Sequence, residues 1–274
     1  MIHNTFKQWL QERRQPVPLG TWAMSASDAC AEALAYVGFD FMVIDMEHVP
    51  LEMVDAIGLL RTLAGTPMGK SQPIVRLAWN DPILVKRILD GGAQTIMFPF
   101  IQNEQEAEQA VRSTKYIKDG NNGFRGVAAV HRASLYGAIP DYLQVANESI
   151  AVILQIETLQ ALSRLDKIAK VPGVDAIFIG PGDISANMGY LGQVGHAEVQ
   201  KVLQDAARQC KALNVPCGIV GATPEMVRRY VDWGYDFVAI GSDMSMLTSK
   251  ARENIALVRA TDTPTQANMS NSAY

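Results

Sequence analysis

Gly38-Phe39-Asp40-Phe41-Met42-Val43-Ile44-Asp45-Met46-Glu47-His48 is the stretch on which the fold turns. A glycine stop and an Asp turn lead into four consecutive apolar residues, and the run then breaks into a charged cluster. A strand covered by helices on both faces reads as such an unbroken apolar run. The opening phrase returns as Gly234-Tyr235-Asp236-Phe237 and, more loosely, as Gly173-Val174-Asp175-Ala176. Recurrent helix-to-strand turns of this kind point to one repeated βα architecture rather than to a long internal repeat.

Working outward from this unit, strands are expected at 19–24, 41–45, 74–77, 95–99, 151–156, 176–180, 217–221 and 237–241. Helical patterns fill the gaps. Ser27 or Asp28 caps a helix that stops at Gly38, and Asp81-Pro82 opens one that reaches Leu89 before Gly91-Gly92. Asn103 and Glu106 make a start resembling a capping box for a helix expected to run through Ile117. Thr223-Pro224-Glu225 begins another, which ends at Gly234. Eight strands with helices between them imply an α/β fold of the (β/α)8 barrel type, and no Gly-x-Gly-x-x-Gly follows an early strand to favour an open doubly wound sheet.

The chain of 274 residues suits one such barrel, and a hydrophobic fraction of 48% supplies its core. Residues 1–260 are expected as a single domain with an N-terminal helix. The tail 261–274 is polar, aperiodic and expected to lack structure. Segment 120–149 is too long for an ordinary connection, which suggests an active-site loop or a contact between subunits. It contains Arg125-Gly126, His131-Arg132 and a short helical piece from Pro140-Asp141. A net charge of −4 argues against nucleic acid or an anionic membrane as a partner. No apolar run approaches the roughly 18 residues of a membrane helix, and the N-terminus has no apolar core of a secretory signal. Cys30, Cys210 and Cys217 form no Cys-x-x-Cys unit and are expected as reduced thiols of a cytoplasmic protein.

In a barrel, catalytic groups sit where strands end. That rule selects Asp45, Glu47 and His48 after the second strand, and Arg76 near the end of the third. It also selects Gln155 and Glu157 at the fifth, and Pro181, Gly182 and Asp183 after the sixth. Glu157 and Asp183 come from adjacent strands. Two neighbouring carboxylates either share a proton or bind a hard cation such as Mg²⁺ or Mn²⁺; a structural ion pair with Lys or Arg is the plainer alternative. His48 is a candidate base whose ring Asp45, three residues earlier, is placed to orient. Otherwise it is an ordinary loop histidine. Arg76 offers a fixed charge for a developing oxyanion, or else a simple ion pair. No expected strand carries a lysine, which argues against Schiff-base chemistry.

Taken in order, Asp45-Met46-Glu47-His48, Val75-Arg76, Asp90-Gly91-Gly92, Arg125-Gly126 with Arg132-Ala133, Gln155-Ile156-Glu157 and Gly180-Pro181-Gly182-Asp183 resemble the HpcH/HpaI aldolase/citrate lyase family from about Leu19 to Leu257. The resemblance implies a barrel of the phosphoenolpyruvate/pyruvate-domain type. It also implies a class II pyruvate aldolase, cleaving a 4-hydroxy-2-oxo acid to pyruvate and an aldehyde through an enolate that a divalent cation (Mg²⁺, Mn²⁺ or Co²⁺) stabilises. It places the metal ligands at Glu157 and Asp183, the base at His48 with Asp45 behind it, and the enolate-stabilising arginine at Arg76. Gln155, Pro181 and Gly182 are implied at the substrate, with Asp90 and Glu47 in support. A homo-oligomer, hexamer or trimer, is implied as well. Two departures stand out: Met46 where the family has Gly before Glu-His, and Gly182 where it has Ala or Ser. Oxaloacetate decarboxylation, or bond formation like that of macrophomate synthase, remains an alternative use of the same enolate.

Overall fold

The computed structural model describes residues 3–66 and 71–261, with side chains through Arg259. Most of the tail expected to lack structure, 262–274, lies outside the described residues, as does Lys70. The eight strands are β1 Leu19–Ala23, β2 Phe41–Asp45, β3 Gln72–Arg76, β4 Thr95–Phe98, β5 Ala151–Ile156, β6 Ala176–Ile179, β7 Cys217–Gly221 and β8 Phe237–Ser242. Each pairs in parallel with its sequence neighbour, and β8 closes on β1 to complete a (β/α)8 barrel. The strand positions agree with the apolar runs to within two residues, because strands buried on both faces leave an unbroken hydrophobic signature.

The helices are α1 Thr5–Glu12, α2 Asp28–Val37, α3 Met53–Gly65, α4 Pro82–Asp90, α5 Glu104–Thr114 and α6 Tyr142–Ser149. They continue with the single turns α7 Leu159–Leu162 and α8 Leu165–Ile168, then α9 Pro181–Asn187, α10 Ala197–Ala212, α11 Pro224–Asp232 and α12 Asp243–Thr261. Ser27, Asp81, Asn103 and Thr223 each accept a backbone N–H as N-caps, as their sequence context suggests. Helix α5 stops at Thr114, short of the expected Ile117. The hydroxyls of Ser113 and Thr114 donate back to carbonyls three residues earlier, and Asn147 Oδ1 accepts the Tyr116 N–H at 2.8 Å. A local side-chain alternative therefore outcompetes continuation of the helix. Among the described residues no helix is long and apolar enough to cross a membrane.

Alternate strand residues divide between two cores. Met42 and Ile44 face the helices, whereas Phe41 and Val43 point into the barrel beside Ile74, Met97, Ile153, Phe178 and Phe237. Gly20 and Gly218 lie against the rings of Phe41 and Phe237, where a Cβ would overlap them. Helix α1 closes the end at which the strands begin. Phe6 packs edge-on to Phe41 and Phe237, with ring centroids 5.5 and 5.4 Å away. Asn4 Nδ2 donates to the Gln94 and Ser149 carbonyls at 2.9 Å each. Phe6→Ala should therefore cost roughly 3–5 kcal/mol, as large-to-small changes of a buried aromatic do, read as a lowered urea midpoint. A loss below about 1 kcal/mol would mean that α1 is only laid against the barrel.

The 120–149 segment is not an active-site loop of its own chain. Arg125 pairs with Asp90 at 2.7 Å, and Arg132 Nη1 donates to the Gly91 carbonyl at 2.9 Å. Both contacts lie at the C-terminal end of α4, where the chain turns into the start of β4. The segment thus packs at the strand-start end, with Tyr116, Tyr142 and Ala146 forming a small core of their own.

Candidate active site

At the opposite end, a cavity of about 400 Å³ opens where the strands finish. It is lined by Asp45, His48, Arg76, Gln155, Glu157 and 180–183, with Trp22 and Phe178 as its base. The strand-end rule thus brings most of the selected residues together. Glu47 stands beside them through its contact with Arg76.

The positive group is fixed on three sides. Asp45 and Arg76 occupy matched positions on the adjacent parallel strands β2 and β3, so their side chains emerge at the same height. Arg76 Nε and Nη2 donate to the two Asp45 oxygens at 2.9 and 2.8 Å, a bidentate pair. Nη1 lies 2.8 Å from Glu47 Oε2 in an ion pair, and the guanidinium carbon sits 4.2 Å from the centroid of the Trp22 ring. The remaining guanidinium N–H groups are left for the cavity.

This arrangement corrects the expected link between Asp45 and His48. The fully buried Asp45 carboxylate gives both oxygens to Arg76 and accepts the Glu47 and His48 backbone N–H groups at 3.0 and 3.4 Å. It does not bond the His48 ring. That side chain is 61% exposed at the cavity rim, with Glu47 Oε2 its nearest carboxylate oxygen at 4.0 Å. Asp90 is a second correction. It ends α4 at the other end of the barrel, bound to Arg125 and 3.5 Å from His131 Nε2, because the residue before a helix-to-strand turn lies at the strand-start end. Trp22 and Phe100 are functional neighbours that the sequence did not single out. Pro99 marks a turn there, but nothing in the sequence shows that Phe100 after it takes a positive φ of 52°.

The negative groups form the facing half. Glu157 Oε1 accepts from Gln155 Nε2 at 2.7 Å, and Oε2 accepts from the Phe100 N–H at 3.0 Å. Burial, then the nearby Glu47 and Asp183 charges, push the Glu157 carboxyl up to about 7, against the opposing pull of the Phe100 N–H and Arg76. Burial also raises Glu47. Asp183 stands in the first turn of α9, and among the described residues its carboxylate has no hydrogen-bond or ion-pair partner. Gln155 Oε1 is buried without a hydrogen-bond partner.

No group of three or more His, Cys, Asp or Glu side chains forms a ready-made metal cage among the described residues. The donor set is instead two hard carboxylates with an unpaired amide oxygen nearby. That suits an ion of the Mg²⁺ or Mn²⁺ kind, which keeps places for water and substrate oxygens. Among the described residues no lysine lines the cavity. A Cβ on Gly180 would stand 2.5 Å from Glu157 Oε1. Gly180→Ala should therefore displace the Glu157 carboxylate and lower turnover by at least about 100-fold, the effect of misplacing a reacting group by an ångström. Turnover at the parent level would show that Glu157 needs no fixed position.

A (β/α)8 barrel with oppositely charged groups converging on its strand ends is an enzyme scaffold, and the comparisons define its class. The model of the HpcH/HpaI aldolase/citrate lyase family matches residues 19–249. A 2-dehydro-3,6-dideoxy-6-sulfogluconate aldolase of Pseudomonas putida is 50% identical over 252 residues, 92% of this chain and 96% of that protein. A 5-keto-4-deoxy-D-glucarate aldolase of Citrobacter koseri is 40% identical over 250 residues, covering 91% and 94%. A family member of known structure from Burkholderia cenocepacia superposes with a TM-score of 0.89 at 38% identity, covering 93% of this chain and 99% of that one. The chain belongs to the HpcH/HpaI aldolase/citrate lyase family and is a carbon–carbon lyase of the aldolase kind.

Proposed function

We propose that the chain is a class II pyruvate aldolase that cleaves a 4-hydroxy-2-oxo sugar acid to pyruvate and an aldehyde, with Glu157 and Asp183 holding a divalent cation. The observation that carries this reading is the electrostatic conflict at Glu157. A buried carboxyl is set beside two further carboxylates and opposite a clamped arginine, in one cavity. Glu157 and Asp183 would hold a cation that would relieve this conflict and would supply Lewis acidity at the 2-oxo group, worth several kcal/mol.

The chain's own groups do the rest. The first-turn N–H groups of α9, on Gly182 and Asp183, meet the substrate carboxylate, since they have no partner within the helix. Arg76 faces the oxygen on which negative charge grows as the C3–C4 bond breaks. His48, at the rim, takes the proton of the 4-hydroxyl and so releases the aldehyde. Gln155 keeps Glu157 aligned. The proteins compared above act, by name, on a 6-sulfogluconate and a glucarate derivative, which are six-carbon acids with a second acidic group at the far end. A substrate of that shape is the first choice for this chain.

The test is pyruvate release from 2-dehydro-3,6-dideoxy-6-sulfogluconate and 5-keto-4-deoxy-D-glucarate, with Mg²⁺ or Mn²⁺ and with EDTA. Cation-dependent cleavage is expected. Pyruvate formed from oxaloacetate alone would favour a decarboxylase, and turnover indifferent to chelator would refute the cation.

Stability supplies an independent readout. Glu157 binds its proton more tightly in the folded chain than in the unfolded one, whose carboxyl titrates near 4.5. The cation-free protein therefore loses stability as pH rises from about 4.5 to about 7, on the order of 3 kcal/mol from this group. Because the cation competes with that proton, the Tm gain from Mn²⁺ should be larger at pH 8 than at pH 5. An equal or reversed gain would contradict the assignment of Glu157.

A further inference from the structure

The donor that meets Glu157 Oε2 comes from an uncommon piece of backbone. Phe100 has φ 52°, in the left-handed region that residues with a Cβ seldom occupy. It follows Pro99 at the end of β4, and its N–H donates to Glu157 Oε2 at 3.0 Å. Such a conformation persists only when its surroundings hold it.

Several contacts surround this turn, and directly after it the Ile101 N–H donates to the Gln155 carbonyl at 3.1 Å. The Phe100 ring stacks on Trp79, from the connection after β3, with centroids 6.1 Å apart and planes at 29°. The Phe100 carbonyl accepts from Gln102 Nε2 at 3.2 Å, and Gln102 Oε1 accepts from the hydroxyl of Thr158 at 2.6 Å, the residue after Glu157. Trp79 is 55% exposed and Phe100 39%, so burial does not explain why the two rings are placed together.

We propose that Trp79 is a positioning residue: its stack on Phe100 holds the left-handed turn, and through it the backbone donor that fixes the Glu157 carboxylate for the cation. Gln102 is the polar counterpart, tying the same turn to the β5 end. The inference rests on the cation reading given above. It assigns a role to an exposed aromatic pair that lies outside the cavity lining. Removing partners that orient a ligand typically weakens metal affinity 10–100-fold.

The test is Mn²⁺ binding to the full chain, measured by calorimetry without substrate, for the parent, Trp79→Ala, Trp79→Phe, Phe100→Ala and the double alanine variant. Light scattering and thermal melts accompany each. Trp79→Ala should bind Mn²⁺ about 10–100-fold more weakly, and Trp79→Phe, which keeps a ring, should recover most of that loss. The double variant should be no worse than either single one, because both remove the same stack. Parent-like affinity in Trp79→Ala would overturn the proposal while leaving the cation in place. Additive losses in the double variant, failure of Trp79→Phe to rescue, or weakening that tracks a change of assembly or of Tm would also overturn it. A parent protein that binds no Mn²⁺ would refute the cation reading and this inference together.

Discussion

Glu157→Gln will release pyruvate at least about 10³-fold more slowly than the parent, since Lewis-acid stabilisation of several kcal/mol converts at about 1.4 kcal/mol per tenfold. The substitution keeps the shape of the side chain and removes its charge. Gln155 Nε2 and the Phe100 N–H both donate to this carboxylate, so the amide satisfies only one of them. Two further readouts separate loss of the cation from simple damage. Mn²⁺ should no longer raise Tm, and the decline in stability between pH 5 and pH 8 should shrink, because the group whose proton is bound more tightly in the folded chain is gone. A variant that retains a Tm gain with Mn²⁺ would transfer the ion to other ligands. One that retains turnover would remove Glu157 from the chemistry.

Arg76→Ala should lower kcat by about 10²–10³, the usual loss for a donor aimed at a developing oxyanion. It should also destabilise the chain, for a separate reason. Asp45 is wholly buried and keeps only two backbone N–H donors once the guanidinium is removed. An uncompensated buried charge of this kind costs roughly 3–5 kcal/mol. The two effects come apart in Arg76→Ala with Asp45→Asn, where no orphan charge remains. That double variant should recover much of the lost Tm and none of the lost turnover. Recovery of both would make Arg76 a structural partner of Asp45 and nothing more.

The barrel was legible because each strand is buried on both faces and so leaves a compact apolar run, with polar turn residues marking its ends. The same logic exposed Arg76, Glu157 and Asp183, since ionisable residues directly after such runs have few other places to go. Pairings across strands were less accessible. Asp45 and His48 are three apart and look like a dyad in sequence, yet Asp45 is consumed by Arg76 through the register of β2 on β3, and composition does not encode register. Asp90 failed differently: a helix end before a Gly-Gly turn lies at the strand-start end of a barrel, whatever its charge. The end of α5 was hidden because Asn147, more than thirty residues away, captures the Tyr116 N–H. Phe100 was hidden because nothing local marks its left-handed φ, and its contact with the Trp79 ring is made only after folding.

The floor sealed by Phe6, Phe41 and Phe237 lies a full strand length from the carboxylates and arginine of the mouth. Phe6 therefore bears on stability without lining the cavity, whereas Arg76 and Glu157 bear on stability and chemistry together. A laboratory seeking a hardier catalyst can vary Gln11 and Glu12 on the exposed side of α1 while keeping the buried Phe6 and Leu10, then turn separately to Met24, Val194 and Met226 on the cavity wall when a new aldehyde is wanted.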